Sequence, residues 1–237
     1  MINKCLIVVD TFKGGANIYM IDTDLITVNE QSSIKIKGSS VLYFDPFHIR
    51  EFELDADIVF LTHGHYDHFS PEDIENVASG NAIFVVPWKM VKEVKNIGVS
   101  DERIIAIKPG EEKDITDRKG RKVNVKAVPA YNMIKPFHPK AQKWCGYVVT
   151  IDDTTLYVAG DTDGLKENEN INCDIAFIPI GGTYTMNYKE AAHFVNALKP
   201  NMVIPIHYGT IVGEKVYGER FSELVDEDIR IVKKLFV

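Results

Sequence analysis

The residues best suited to chemistry lie in one short segment, residues 62–68, which read Thr-His-Gly-His-Tyr-Asp-His. Alternate residues of an extended chain share one face, so His63 and His65 are expected to point the same way. Asp67 and His68 follow in the turn, where they can serve a second ion about 3.5–4 Å from the first. Imidazole and carboxylate together suit zinc, manganese or iron. We interpret the segment as a metal site rather than a chance cluster on a surface loop.

Two further apolar runs end in residue types that bind metals. Asp161 comes shortly after Leu156–Val158, and its two carboxylate oxygens could each take one ion, although an Asx turn is the simpler interpretation of Asp161 alone. His207 follows Met202–Ile206, where a buried imidazole without a metal is the alternative. Each residue is weak evidence alone. Together with the first cluster they form a set large enough for two ions.

The composition limits the classes of protein to which the chain can belong. The 237 residues are 45% hydrophobic, enough for one large domain or two fused halves. A net charge of −7 argues against general binding to nucleic acid or to an anionic membrane. No apolar run approaches the ~20 residues of a membrane span. Three cysteines without paired spacing fit a reducing compartment, so we expect a cytoplasmic protein.

Short β-branched runs bounded by Gly, Pro, Asn and Asp predict a chain rich in strands. The predicted strands are Leu6–Val9, Ile18–Ile21, Val41–Phe44, Ile58–Leu61, Ile83–Val86, Ile104–Ile107, Val123–Val128, Tyr147–Ile151, Leu156–Val158, Ile175–Ile178 and Met202–Ile206. Thr150–Thr155 predicts a tight hairpin between two of them. Dispersed basic residues are expected to be solvated at strand edges. They are Lys35, Lys37, Lys119, Arg121 and Lys122.

Helical signals are fewer. Ser70 with Pro71 predicts a helix to about Val77, because Ser caps a helix and Pro suits its first position. Asn187 with Glu190 predicts another over Tyr188–Leu198. Two weaker predictions are Trp88–Lys95 and Gly218–Asp226. Many strands with interspersed helices indicate an α/β protein whose two sheets pack face to face with helices outside.

The order and spacing of three segments resemble the metallo-β-lactamase superfamily. These segments are His63–His68, Gly160–Thr162 and Pro205–Gly209. The closer resemblance is to the small metal-dependent hydrolase branch, which includes the ascorbate-6-phosphate lactonases. Three more segments resemble that branch, namely Val128–Asn132, Pro136–Lys140 and Ile178–Met186. The resemblance covers roughly residues 26–210 and implies an αββα four-layer sandwich with metals at one edge. We expect a single domain over residues 1–237, with residues 1–24 as an extra strand or hairpin.

The resemblance also implies a role for each candidate ligand. His63 and His65 would bind the first metal, Asp67, His68 and His207 the second, and Asp161 would bridge them. Most of the superfamily has a third histidine for the first metal where this chain has Asn132, whose amide oxygen is a poorer ligand for zinc than an imidazole. His138 is the predicted replacement, with Asn132 as the alternative.

Two positions bear on the surroundings of the centre. Asp45 ends a strand where relatives place a carboxylate behind the metal, where it could hydrogen-bond a ligating histidine; a turn Asp before Pro is the alternative. Relatives also carry a segment like Leu-Gly-His-Ser-Ser near the start, whereas Glu30 and Gln31 stand here for its glycine and histidine. We expect this departure to affect substrate choice more than the metal centre.

The expected chemistry is hydrolysis. Two cations lower the pKa of a shared water toward ~7, and the hydroxide attacks a carbonyl carbon or a phosphorus. Asp67 would orient the nucleophile and carry a proton to the leaving group. Tyr184 or Tyr131 could donate to the oxyanion. Gly182 lies in a turn before a helix, where backbone amides could hold an anionic group such as phosphate.

The sequence therefore predicts a metal-dependent hydrolase of a small ester, lactone or phosphorylated metabolite. Two divalent ions are expected, zinc ahead of manganese or iron. The alternatives are a metal-binding protein without hydrolytic turnover, either a sensor or a di-iron redox module, and then a phosphodiesterase or nuclease. The predicted partner is a small-molecule substrate, and neither nucleic acid nor a membrane is expected. A homo-oligomer is compatible with the sequence. The residues predicted to contact the substrate are Asn132, Tyr131, Gly182 and Tyr184.

Overall fold

The computed structural model describes residues 8–12, 15–19, 21–50 and 52–235. Its strands are β1 (Val8–Phe12), β2 (Gly15–Tyr19), β3 (Ile26–Val28), β4 (Ile34–Lys37), β5 (Val41–Phe44), β6 (Ala56–Phe60), β7 (Ala78–Pro87), β8 (Ile104–Ile107), β9 (Glu112–Thr116), β10 (Lys122–Pro129), β11 (Cys145–Ile151), β12 (Thr154–Val158), β13 (Ile175–Pro179), β14 (Met202–Ile206) and β15 (Arg230–Ile231). Its α-helices are α1 (Pro71–Val77), α2 (Val91–Asn96), α3 (Tyr188–Leu198) and α4 (Tyr217–Ser222). Among these helices none has the length and apolar character of a membrane span.

Two large sheets carry the fold. One has six strands in the order β3-β4-β5-β6-β7-β8, and the other has seven in the order β15-β14-β13-β12-β11-β10-β9. Strands β5 to β8 are parallel to one another, and so are β12 to β15. Because parallel strands end at the same edge of a sheet, the loops after β5 and β6, and those after β12 and β14, gather there.

Strand β6 shows how the layers form. It is buried on both faces, and its side chains alternate between two cores. Ile58 and Phe60 belong to the large core between the sheets. Val59 belongs to a second core, in which α1 and α2 cover the outer face of the six-stranded sheet. Helix α3 packs its apolar residues, such as Phe194, on the other sheet. The expected αββα architecture is confirmed.

The two helices with capping signals have the predicted bounds. Asn187 Oδ1 accepts hydrogen bonds from two amides of α3, and the Asn187 amide donates to Glu190 Oε2 at 2.9 Å. This capping box satisfies donors that the first turn of a helix leaves free. The weaker helix predictions are partly wrong. Trp88–Met90 is a 3-10 turn ahead of α2, and α4 ends at Ser222, four residues before the predicted end at 226.

Turn chemistry explains the predicted hairpin. Ile151 pairs with Thr154, and the two residues between them have φ values of 49° and 58°. Positive φ at both central positions matches the twist of the flanking strands. In the N-terminal segment, β1 pairs antiparallel with β2, as a hairpin requires. The turn between them and the start of the predicted strand Leu6–Val9 lie outside the described residues. The single-domain assignment stays a prediction.

Lys35 does not lie at a solvated sheet edge, so that prediction is wrong. It lies on β4, between β3 and β5, and is buried. Its ammonium pairs with Glu53 and with Asp55, at 2.9 Å from the latter, and lies 5.0 Å from the centre of the Tyr43 ring. The alternating Ile and Lys of β4 concealed the strand, because half of its residues are charged.

An ionic cluster joins the two sheets far from the candidate ligands. Arg121, in the β9–β10 connection, donates to Asp117 at 2.7 Å and to Asp57 of β6 at 2.5 Å. Ser40, just before β5, donates to the same Asp117 carboxylate at 2.8 Å. Burial alone would raise the pKa of Asp117, but the bonds from Arg121, Ser40 and the Lys119 amide lower it to about 2.

Replacing Asp117 by asparagine should lower the free energy of unfolding by about 2 kcal/mol near pH 7. A carboxylate with a depressed pKa stabilises the folded state above its unfolded pKa near 4, and this stabilisation is lost as the pH falls through about 2. The difference in the free energy of unfolding between wild type and Asp117→Asn, measured in urea, should therefore narrow from pH 4 to pH 2. Asp228→Asn, at an exposed position, is the control. A difference in the free energy of unfolding that does not change with pH would contradict a depressed pKa at Asp117.

Candidate metal centre

The predicted ligands all lie in loops at the shared edge of the sheets. His63 comes three residues after β6 ends, and Asp161 three residues after β12 ends. His207 follows β14 directly, with a left-handed φ of 57°. His138 lies in the long connection between β10 and β11. The sheets therefore bring together residues that are up to 144 positions apart in sequence, from 63 to 207.

Seven side chains converge in three overlapping groups, in each of which the donor atoms lie within 4.8 Å of one another. The groups are His63, His65 and His138; His63, His68 and Asp161; and Asp67, His68 and His207. Asp161 lies between the others. Its Oδ1 is 3.3 Å from His68 Nε2, and its Oδ2 is 3.4 Å from His138 Nε2 and 3.3 Å from His207 Nε2.

The hydrogen bonds at the back of two rings leave their Nε2 atoms as acceptors. Thr62 donates its hydroxyl to Asp45, so it accepts from His63 Nδ1 at 3.0 Å. His138 Nδ1 donates to the Asn132 amide oxygen at 3.0 Å. With a proton on each Nδ1, both Nε2 atoms carry lone pairs, and they lie 3.3 Å apart. Two acceptors at that distance cannot hydrogen-bond each other.

Several buried atoms of the cluster have no hydrogen-bond partner among the described residues. They are His68 Nε2, Asp161 Oδ1 and both ring nitrogens of His207. Unpaired buried polar atoms are rare in folded proteins because their desolvation is costly. A set of imidazole and carboxylate lone pairs directed at one small volume matches the donor set of divalent transition metals. The residues present therefore fit the metals that the resemblance implies.

Electrostatics favour a cation at the same place. Burial would raise the pKa of Asp161, but the imidazoles of His207 and His68 hold it well below its usual range. Burial would lower the pKa of His68, but Asp161 and Asp45 hold it well above its usual range. Burial lowers the pKa of His138 to about 4, so this ring is neutral near pH 7. Without an ion, the centre thus combines a neutral His138 ring and an ionised Asp161 with a His68 ring that keeps a second proton, whose place a bound cation would take.

Asp45 lies behind His68. Its carboxylate accepts from the Thr62 amide at 2.7 Å, from the Thr62 hydroxyl at 2.6 Å and from His68 Nδ1 at 2.7 Å. This contact directs His68 Nε2 toward Asp161, as carboxylates do behind metal-ligating histidines. Asp45 also has a left-handed φ of 43° just before Pro46, so the alternative of a turn residue describes its backbone.

Asn132 lies behind His138 rather than beside it. Its amide oxygen accepts from the His138 backbone amide at 3.1 Å as well as from Nδ1. Its amide nitrogen donates to Asp163 Oδ1 at 3.1 Å and to the Tyr184 carbonyl at 2.8 Å. The geometry therefore supports His138 over Asn132 as the third donor of the first group. The binding of an ion by His138, and of substrate by Asn132, stays a prediction.

The other predicted substrate contacts are less well placed. The Tyr131 hydroxyl donates to Glu167 at 2.8 Å and accepts from Lys140 at 3.0 Å, so it is engaged at the surface. The Gly182 amide donates to the Met186 carbonyl at 2.9 Å. In this turn the amides of Thr185 and Met186 also donate to carbonyls, and the capping box occupies the start of α3. Internal bonds thus use these three amides, and the binding of an anion at Gly182 stays a prediction.

Tyr184 differs from these residues. Its ring packs edge to face on Phe137, with centroids 4.6 Å apart, next to His138 in sequence. The Tyr184 hydroxyl is among the groups that raise the pKa of the Tyr66 hydroxyl, after burial and the charge of Asp67. Its role as an oxyanion donor stays a prediction.

Sequence reasoning missed two residues around the centre. The Trp144 ring centre lies 5.0 Å from that of His63 and 5.1 Å from that of His65, so it forms a wall of the first group. Its position just before the strand that starts at Cys145 was the available signal. Gln31 is fully buried, and its amide nitrogen lies 3.4 Å from Asp67 Oδ2. Gln31, which stands where relatives have a histidine, thus contacts a residue of the centre itself.

Replacing His138 by alanine should remove one ligand of one ion. Wild-type protein purified without added metal or chelator is expected to hold close to two equivalents of transition metal, falling toward one in His138→Ala. Inductively coupled plasma mass spectrometry measures both. His193→Ala, at an exposed position on α3, is the matched control and should retain two equivalents. Two equivalents in His138→Ala would contradict a ligand role for this residue.

Replacing Asn132 by alanine should weaken the binding of the same ion indirectly, because His138 Nδ1 would lose its hydrogen-bond acceptor. We expect the affinity for Zn²⁺ to fall about 10- to 100-fold in a competition titration with a chromophoric chelator. Asn124→Ala on β10, where the side-chain amide donates to Glu112 and Asp114, should leave the affinity unchanged. An unchanged affinity in Asn132→Ala would show that His138 does not depend on this amide.

Comparisons with known proteins agree with the fold and with the class of metal-dependent hydrolases. A family model for the beta-lactamase superfamily domain matches residues 25–207. A UPF0173 metal-dependent hydrolase from Thermococcus onnurineus is 31% identical over 215 residues, which cover 85% of this chain and 92% of that protein. Another from Thermoplasma acidophilum is 32% identical over 199 residues, covering 79% and 84%. A solved structure from Parabacteroides distasonis, assigned as a metal-dependent hydrolase, has a TM-score of 0.72 at 27% identity, covering 89% of this chain and 92% of that one.

The family match includes the segments that suggested the resemblance, except the last two residues of Pro205–Gly209. The narrower likeness to ascorbate-6-phosphate lactonases stays a prediction. The solved structure from Parabacteroides distasonis shares the fold of this chain. The chain belongs to the metallo-β-lactamase superfamily.

Proposed function

We propose that this protein is a metal-dependent hydrolase that acts on a small ester or lactone with two divalent ions. The observation that carries the proposal is the convergence of seven imidazole and carboxylate groups, three of which, His68, Asp161 and His207, have buried atoms without a hydrogen-bonding partner among the described residues. The relatives from Thermococcus onnurineus and Thermoplasma acidophilum are themselves named metal-dependent hydrolases. Zinc is the first choice of metal, because imidazole nitrogens dominate the donor set.

His63, His65 and His138 would hold one ion, and Asp67, His68 and His207 the other, with Asp161 between them. When bound, the ions would supply Lewis acidity and a water-derived nucleophile near neutral pH. The protein supplies the positions of the donors. Each contact behind a ring or carboxylate fixes the orientation of that group before substrate arrives, which lowers the cost of reorganisation during the reaction.

Asp67 is the acid best placed to move a proton. Its side chain is 11% exposed, whereas that of Asp161 is 3% exposed and that of Asp45 is fully buried. It follows Tyr66, whose ring is 66% exposed, so it lies at the open side of the cluster. The Asp67 carboxylate can accept a proton from the attacking water and pass it to the leaving group. Substrate would approach over Gly64 and Tyr66, with Trp144 as the wall.

The surroundings support an uncharged substrate over a phosphorylated one. Lys135 is engaged with Asp163 at 2.6 Å and with the Thr185 carbonyl. Lys140 is engaged with Tyr131 and Glu167. Lys143 is the third lysine of the connection between β10 and β11. The internal bonds of the turn at Gly182 weaken the case for a phosphate site. The same connection exposes apolar side chains, namely Met133, Ile134 and Phe137.

The test is a substrate panel with protein loaded with Zn²⁺, Mn²⁺ or Fe²⁺. Aryl and alkyl esters and lactones should be hydrolysed, and phosphomonoesters and phosphodiesters should not. Asp67→Asn should lower kcat on the best ester by about 10²- to 10⁴-fold. Asp228→Asn, exposed and remote from the cluster, should match wild type. Turnover of phosphodiesters alone would favour the nuclease alternative. Two bound ions without turnover on any substrate would favour a non-hydrolytic metal protein.

A further inference from the structure

Gln31 lies in a tight turn that directs its side chain inward. The Asn29 amide donates to the Ser33 carbonyl at 2.9 Å, and the Ser33 amide donates to the Glu30 carbonyl at 2.8 Å. Within this turn Gln31 has a left-handed φ of 49°, which is uncommon for a residue other than glycine and costs energy. Its relative exposure is 0%. The surrounding bonds therefore hold a strained residue with its amide buried.

The Gln31 side chain connects a surface hydroxyl to the candidate centre. The Thr210 hydroxyl donates to Gln31 Oε1 at 3.1 Å, which assigns the amide oxygen to that side. The amide nitrogen consequently faces Asp67 Oδ2, at 3.4 Å. The Gln31 backbone carbonyl also accepts from the His207 amide at 2.9 Å. One residue thus contacts both Asp67 and the segment that carries His207.

The oxygen that faces Gln31 is the same one that faces the second group of imidazoles. Asp67 Oδ2 lies 3.4 Å from His207 Nε2 and 3.6 Å from His68 Nε2. A neutral amide donor can fix this oxygen without adding charge. A lysine in its place would compete with a bound cation, and a carboxylate would repel Asp67. An amide oriented from behind by a hydroxyl is therefore suited to hold a metal-binding carboxylate.

We infer that Gln31 is a positioning residue, which fixes the Asp67 oxygen directed at His68 and His207 and thereby sets the affinity for the ion held there. The inference rests on the proposed two-ion centre. Thr210 acts through Gln31, because its hydroxyl determines which end of the amide faces Asp67. Hydrogen bonds behind a metal ligand typically change metal affinity by 10- to 100-fold, so the effect is measurable.

The test measures binding of Zn²⁺ alone, by competition with a chromophoric chelator, without any substrate. Gln31→Met keeps the length of the side chain and removes its donor. It should raise one of the two Zn²⁺ dissociation constants by about 10- to 100-fold and leave the other within about threefold of its wild-type value. Gln142→Met, at the exposed position of the only other glutamine in the sequence, should leave both unchanged. Both constants unchanged in a folded Gln31→Met protein would overturn the inference.

A second pair of variants separates positioning from packing. Thr210 is exposed, so its replacement should not impair folding. Thr210→Val removes the hydroxyl and should raise the same dissociation constant that Gln31→Met raises. Thr210→Ser keeps the hydroxyl and should have the wild-type dissociation constant. Equal constants in the valine and serine variants would overturn the inference even if Gln31→Met failed to fold. Because no substrate is used, absence of hydrolysis would count against the proposed function alone.

Discussion

The structure depends on lone pairs that converge in a buried volume with too few donors to meet them. His63 Nε2 and His138 Nε2 face each other at 3.3 Å, and Asp161 offers an oxygen to each side of the cluster. Such an arrangement is unfavourable unless a cation joins it. The same acceptors that would destabilise an ordinary core are thus what suits this one to metal chemistry. The remaining features of the molecule serve to hold these atoms in place.

Three of the candidate ligands are held from behind by a buried side chain. Asp45 holds His68, Asn132 holds His138, and Gln31 holds Asp67. The three supports differ in charge because their partners differ: a carboxylate stabilises a ring that bears positive charge, whereas neutral amides orient a neutral ring and an anion. This arrangement keeps the net charge of the centre low enough to be buried while its donors stay free.

The two sheets must keep a fixed separation for the loops to meet. The Tyr147 hydroxyl donates to the Leu61 carbonyl at 2.7 Å, and the Cys145 amide donates to the Thr62 carbonyl at 3.2 Å. Both bonds cross from the seven-stranded sheet to the segment just before His63. At the opposite end, Arg121 and Asp117 provide the ionic link. The centre therefore lies between rigid layers, as precise placement of catalytic groups requires.

The donor set, the superfamily and two helices could be predicted from residue order alone. Each depends on residue types and their spacing along the chain, such as the His63–His68 spacing and the Asn187 cap of α3. Three features depended on tertiary contacts: the support of His138 by Asn132, the engagement of the Gly182 amide, and the burial of Gln31 beside Asp67. The Asn132 amide is oriented by Asp163 and Tyr184, 31 and 52 positions away, and the turn at Gly182 is joined to Thr162 through the Met186 amide. Gln31 and Thr210 are 179 positions apart. Local patterns specify which groups a chain carries, but the direction of a buried amide is decided only when those segments pack together.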